Sequence, residues 1–308
     1  MSLLVVGSIA LDSVETPFGL REEVLGGSAT YFSIAAAFFA PVGLVAAVGE
    51  DFPDAHVRFL ASRGVDVGGL ARRAGQTFRW RGRYGEDLDT AHTLDTRLGV
   101  FANFRPELPA ELREAEHVFL GNIDPELQAQ VLDQVRAPGL VACDTMNYWI
   151  EHKRAALARV LRRVDLLFVN EAEARQLAGE RNVIAAARRI LTLGPGAVIV
   201  KRGEHGAVLF SGQGCFSVPA FPVEALADPT GAGDSFAGGL MGYLASCRSR
   251  AMPALRRGVV FGSVLASFAV EQFSVERLAS LTRAEVDARY AALRALTQFD
   301  DLHEGEAA

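Results

Sequence analysis

Short apolar runs separated by amphipathic stretches recur over the first two thirds of the chain, and that alternation leaves few folds open. Leu3–Ala10, Val42–Val48, His117–Leu120, Leu140–Cys143, Leu166–Val169 and Ala197–Lys201 are short, mostly apolar runs that look like parallel strands covered on both faces. Between most of them, Ser28–Ala40, Asp54–Ser62, Pro125–Val135, Lys153–Arg163, Glu171–Leu177 and Val183–Leu193 read as helices. Strand–helix alternation predicts an α/β fold with a mainly parallel sheet between two helical layers. A hairpin, Ala207–Phe210 with Cys215–Val218, follows across Ser211–Gly214. The last third reads as helical over Gly233–Ala245, Pro253–Ala269 and Arg283–Ala295, and the small polar tail Glu304–Ala308 is expected to fray.

One segment breaks the pattern. Gln76–Tyr84 alternates with period two, Phe78, Trp80 and Tyr84 on one face and Arg79, Arg81 and Arg83 on the other. With His92–Leu98 and Asp12–Val24 it predicts a small antiparallel flap outside the main sheet, formed from about 12–25 and 76–98; an ordinary edge hairpin is the alternative. No Pro-, Gly- or Ser-rich linker divides the 308 residues, so one domain over 1–308 is expected.

Composition narrows the function. A formal net charge of −6 argues against nucleic acid as a partner. Cys143, Cys215 and Cys247 share no CxxC spacing and read as buried free thiols; the histidines show no zinc-like cluster. The start has no basic n-region, and the most apolar stretch, Ile34–Val48, is interrupted by Pro41 and Gly43 and is too short to span a bilayer. A soluble, cytoplasmic protein without membrane contacts is expected. No GxxxxGK[ST] loop is present, which excludes the P-loop kinases.

The most informative segment is Asp228-Pro-Thr-Gly-Ala-Gly-Asp-Ser-Phe236. Gly231, Ala232 and Gly233 leave backbone N–H groups open just where a helical pattern begins, and such a helix start binds anions. Asp234 in that first turn could take the proton of an alcohol attacking a phosphoryl group; a Gly-rich turn capped by an acid is the other reading.

This segment resembles the C-terminal signature of the PfkB (ribokinase-like) family of carbohydrate and nucleoside kinases. The resemblance extends over Val6–Asp12, Leu25-Gly-Gly27, Val45–Asp51, Asn170-Glu-Ala-Glu173 and Lys201-Arg-Gly203-Glu-His-Gly206. It implies a three-layer α/β/α sandwich with a β lid, and transfer of the γ-phosphoryl of ATP, with Mg²⁺, to a hydroxymethyl group. By position it makes Asp234 the catalytic base and Gly231, Ala232 and Gly233 the anion hole. Asn170 and Glu173 would orient Mg²⁺ and phosphate, Glu173 through water. Asp12, Gly26 and Gly27 would hold acceptor hydroxyls, and Gly203, Gly206 and Thr230 would line the nucleotide site. Asp228 and Thr230 match the start of a monovalent-cation (K⁺) site found in many members. Lid-to-lid homodimers occur in the family.

Departures from the pattern bear on the acceptor. Tyr31 stands where many sugar kinases carry Asn; it either stacks on a ring or belongs to the core. The family's Asp-x-Asn loop is one residue longer here, Asp144–Asn147. Lysine occurs only at 153 and 201, and Lys201 closes a predicted strand where a phosphate could meet it. Arg79 could meet a phosphate or be solvated, and Asn122 follows a strand at the ligand-binding edge or caps a helix. The reading is a sugar kinase with a furanose acceptor; a nucleoside kinase and a non-catalytic sugar-sensing protein are the alternatives.

Overall fold

The computed structural model describes residues 3–300, apart from 87 and 89, so the tail 304–308 lies outside the described residues. In chain order the strands are β1 (Leu3–Val6), β2 (Ala10–Thr16), β3 (Gly19–Gly26), β4 (Val42–Gly49), β5 (Val65–Arg73), β6 (Phe78–Tyr84), β7 (Ala91–Arg97), β8 (His117–Leu120), β9 (Leu140–Asp144), β10 (Leu166–Asn170), β11 (Ala197–Lys201), β12 (Ala207–Ser211) and β13 (Gly214–Val218). The helices are α1 (Ser28–Ala36), α2 (Asp54–Ser62), α3 (Pro125–Leu132), α4 (Asn147–His152), α5 (Arg154–Leu161), α6 (Glu171–Ala178), α7 (Val183–Leu191), α8 (Ala232–Cys247), α9 (Met252–Ala269), α10 (Glu276–Ser280) and α11 (Arg283–Thr297).

The main sheet runs β13-β12-β11-β10-β9-β8-β1-β4-β5. It is parallel from β11 to β5, and β12 and β13 add an antiparallel hairpin at one edge. Alternation along a strand sends neighbouring side chains to opposite faces. Leu3 and Val5 of β1 therefore join the core layer with Phe32 of α1, Leu240 of α8 and Val264 of α9, while Leu4 and Val6 join the layer with Val131 of α3, Leu157 of α5 and Ile190 of α7. The result is the ribokinase-like α/β/α sandwich.

A second sheet, ordered β3-β2-β6-β7, stands apart from the first. It departs in two respects from the expected layout: β2 and β6 pair in parallel, so the sheet is mixed and not antiparallel, and it takes in the end of a run read as main-sheet strand. The run Leu3–Ala10 is not one strand: β1 ends at Val6, and the chain re-enters extended structure as β2 at Ala10, which with Leu11 joins Asp12 in the small sheet. Strand β5 was not apparent in the sequence. It is the edge of the main sheet, it alternates in burial, and it contains Gly68 and Gly69. Gly69 is needed because a Cβ there would lie 2.6 Å from the Leu44 carbonyl oxygen. The stretch Lys153–Arg163 is preceded by a short extra helix, α4. All three cysteines are free, but only Cys143 is buried; Cys215 and Cys247 are exposed, the first on the edge strand β13 and the second at the end of α8.

Candidate active site

Three parallel strands end in polar residues at one edge of the sheet: β9 in Asp144, β10 in Asn170 and β11 in Lys201. The carboxyl edge of such a sheet is where ligands bind. Lys201 Nζ lies 2.8 Å from Asp144 Oδ2, with both side chains largely buried. Burial pushes the Lys201 pKa down, but Asp144 and Glu173 outweigh it and the ammonium is held above its ordinary value. The same ammonium is 3.0 Å from the position a Cβ on Gly233 would occupy, so it flanks the first turn of α8.

That turn is built from the signature segment. Gly231 precedes α8 with φ 75°, in the left-handed region that favours glycine, and a Cβ there would collide with the Tyr31 ring. Ala232 N–H is used within the turn, donating to the Pro229 carbonyl at 3.2 Å. The expected set of three open N–H groups is therefore reduced: among the described residues, those of Gly231 and Gly233 have no hydrogen-bond partner. They point an anion site at the start of a 16-residue helix, whose dipole adds to the charge of Lys201. Asp228 anchors the turn from below. Its Oδ1 accepts from Thr230 N–H at 2.9 Å and its Oδ2 from Ser274 N–H at 3.1 Å. Both oxygens of the residue expected beside a cation are thus engaged by backbone donors.

Asp234 lies in that first turn, half-buried. Burial and the neighbouring Asp144 push its pKa up, Lys201 pulls it down, and the balance is about 7. Asp12 approaches from β2 and is raised to about 7, chiefly by burial and also by Asp228 and Asp234. Gly27 N–H donates to Asp12 Oδ2 at 3.3 Å, and only a glycine at 26 leaves room for that carboxylate. Gly27 itself has φ 92°.

Asn170 and Glu173 interlock as a capping box: Asn170 Oδ1 accepts from Glu173 N–H at 2.8 Å, and Glu173 Oε2 from Asn170 N–H at 2.7 Å. Burial raises the Glu173 pKa to about 7, and among the described residues its second carboxylate oxygen accepts no hydrogen bond. Gly203 and Gly206 bracket the loop after Lys201, both with positive φ. Asn122 Oδ1, after β8, accepts from the Trp149 indole N–H at 3.0 Å.

Two expectations change. Tyr31 is 1 % exposed and its ring supports Gly231 from beneath, so it is a core residue with no face left to stack on a ligand. Arg79 is bound to Asp51 and to Glu23, each at 2.7 Å, which ties the small sheet to the loop after β4. Two further residues belong to the site. Asp144 carried a signal, a charge ending an apolar run opposite another such charge, Lys201. Tyr84 carried only its place in an alternating strand, yet its hydroxyl accepts from Thr230 Oγ1 at 3.3 Å in the turn before α8.

The fold and this turn define a phosphotransferase with an alcohol group as acceptor. Residues 9–280 match the model of the pfkB family of carbohydrate kinases, and the chain belongs to that family. It is 32 % identical over 249 residues to a cytidine kinase of Thermococcus kodakarensis, covering 79 % of this chain and 88 % of that protein. It is 30 % identical over 233 residues to a nucleoside kinase of Methanothermobacter thermautotrophicus, covering 74 % and 72 %. The solved structure of Burkholderia thailandensis nucleoside kinase with inosine superposes with a TM-score of 0.80 at 21 % identity, over 96 % of this chain and 99 % of that one. Among the described residues no helix is long and apolar enough to cross a membrane.

Proposed function

We propose that the chain is an ATP-dependent nucleoside kinase, phosphorylating the hydroxymethyl group of a ribonucleoside, and that it works as one catalytic unit with a lid formed from about 12–25 and 76–98. The observation that carries the chemistry is the sharing of one helical turn by Asp234 and the unpartnered N–H groups of Gly231 and Gly233, with Lys201 alongside. The nucleoside acceptor is supported by the two relatives named for nucleoside substrates over most of their length. A free furanose is the second reading, favoured by the carbohydrate-kinase description of the family.

In this mechanism the acceptor's hydroxyls rest on Asp12 and on the Gly26–Gly27 backbone. Asp234 takes the proton of the attacking hydroxyl as its oxygen bonds to the γ-phosphorus and the bond to the β,γ-bridging oxygen breaks, releasing ADP. A loose transition state asks little basicity of the carboxylate, and the N–H groups with Lys201 stabilise the charge on the transferring group. The residues fit a nucleotide-borne Mg²⁺. No cluster of three or more metal-binding side chains stands among the described residues, and Mg²⁺ on a triphosphate needs only one or two carboxylates and keeps its waters. Glu173, with its free oxygen, would meet that water shell. When bound, Mg²⁺ supplies charge neutralisation on the phosphates.

The test is ADP release with ATP and Mg²⁺ over a panel of sugars, polyols and nucleosides. A higher kcat/KM for at least one nucleoside than for every free sugar supports the reading; the reverse order rejects it.

A further inference from the structure

The inner face of the small sheet carries a second feature. Thr16 Oγ1 on β2 donates to the Ala227 carbonyl at 2.9 Å, and Tyr84 on β6 meets Thr230, so the face bearing these residues looks onto the 227–230 turn. By alternation Asp12 shares that face on β2, and Phe78, Trp80 and Gly82 share it on β6. Trp80 is the register partner of Asp12 on the adjoining parallel strand. Its side chain therefore leaves the sheet beside the carboxylate assigned to the acceptor's hydroxyls.

The indole is held flat. Its six-membered ring lies over Gly82, where any Cβ would collide with it, and its N–H donates to Thr93 Oγ1 at 3.1 Å on β7. Gly82 in mid-strand gives up packing and backbone stability, and what occupies the space is this ring. Phe78 on the same face is stacked against Phe101. Trp80, by contrast, makes no ring contact among the described residues and joins neither hydrophobic core. One face rests on Gly82, and the other makes no aromatic or cation–π contact among the described residues.

We propose that Trp80, bedded on Gly82 and oriented by Thr93, is the platform on which a planar heterocyclic base stacks while Asp12 holds the sugar, which makes the small sheet the determinant of acceptor specificity. The inference rests on the nucleoside-kinase reading. An indole held by its edge and one face loses little freedom on binding, which suits it to stacking on any base.

The experiment compares the wild type with Trp80→Ala, Trp80→Phe and Gly82→Ala, using cytidine and ribose as acceptors and the Kd of ATP alone as the control for folding. Stacking of about 1–3 kcal/mol corresponds to roughly 5–150-fold in affinity. Trp80→Ala should raise the cytidine KM within that range, Trp80→Phe should recover most of it, and Gly82→Ala should fall between, with ATP Kd unmoved. Cytidine, not ribose, should quench tryptophan fluorescence in the wild type, and the quench should vanish in Trp80→Phe. Wild-type turnover of cytidine with an unchanged KM in Trp80→Ala overturns the platform alone. A wild type that phosphorylates ribose and no nucleoside overturns the platform and the nucleoside reading together. Loss of ATP binding in Trp80→Ala and Gly82→Ala, with a folded Trp80→Phe that keeps the wild-type quench, would show Trp80 to be structural and overturn the platform.

Discussion

Lys201 Nζ and Asp144 Oδ2 stand 2.8 Å apart at the ends of β11 and β9, two strands separated by β10, and the same ammonium borders the first turn of α8. One charge is thus placed both to pair with Asp144 and, in the proposed reaction, to meet the phosphate. Lys201→Met leaves a largely buried carboxylate without its partner, for which a loss of about 3–5 kcal/mol of stability is expected. The double variant Lys201→Met/Asp144→Asn should regain much of the stability and none of the ATP affinity. Denaturant unfolding and ATP titration of the set separate the two roles.

The raised carboxylates set the pH response. Asp234 with a pKa of about 7 must be ionised to act, so kcat/KM for the acceptor should rise with pH and level off above about 7. Because Lys201 lowers that pKa, Lys201→Met should move the rising limb to higher pH. Stability should run the other way. Asp12 and Asp234 keep their protons in the folded state up to about 7, whereas an unfolded carboxylate loses its proton near about 4. The native state binds more protons between these values, so stability falls as pH rises through them. Asp12→Asn should accordingly raise the Tm at pH 8, by roughly 2 °C or more, with little gain at pH 4; a pH series of melting curves measures it.

Tyr84 and Thr230 join the small sheet to the turn before α8 through one hydrogen bond of 3.3 Å. Tyr84→Phe removes the acceptor, a change worth about 0.5–1.5 kcal/mol. Acceptor kcat/KM should fall by roughly 2–12-fold, and ATP hydrolysis without acceptor should rise relative to phosphorylation, since a lid excludes water. Parallel assays of ADP and of phosphorylated product give that ratio.

Gly231→Ala has two obstacles, a left-handed backbone and the Tyr31 ring where the Cβ would go. It should destabilise the protein by a few kcal/mol and abolish detectable turnover. Adding Tyr31→Ala should relieve the collision but not the backbone strain, so stability should recover only in part, as denaturant midpoints would show.

Much of this was legible in the sequence for definite reasons. Apolar runs such as Leu166–Val169 admit only a strand buried on both faces, and Gly231 to Asp234 wrote the anion turn in four residues. What escaped depended on contacts between distant segments. Whether the Ala232 N–H is open depends on where Pro229 turns, and whether Tyr31 is free depends on what packs over its ring. Leu3–Ala10 looked like one strand because Gly7 and Ser8 are small enough to sit inside an apolar run; only the fold shows that the chain breaks at these two residues and leaves for the small sheet. Strand β5 was hidden because an edge strand keeps only half its residues apolar.

The role of Asp234 is the central claim, and Asp234→Asn tests it most directly. The variant keeps Lys201, the N–H groups of Gly231 and Gly233, and Glu173, so the Kd for ATP should stay within a few-fold of wild type. The chemical step should slow by about 10²–10⁴, the usual contribution of a positioned base, which is a rise of roughly 3–5 kcal/mol in the barrier. The measurement is kcat for the best acceptor beside the ATP Kd. A loss of that size with ATP binding intact is the predicted result; an Asp234→Asn enzyme retaining more than about a tenth of wild-type kcat would contradict it.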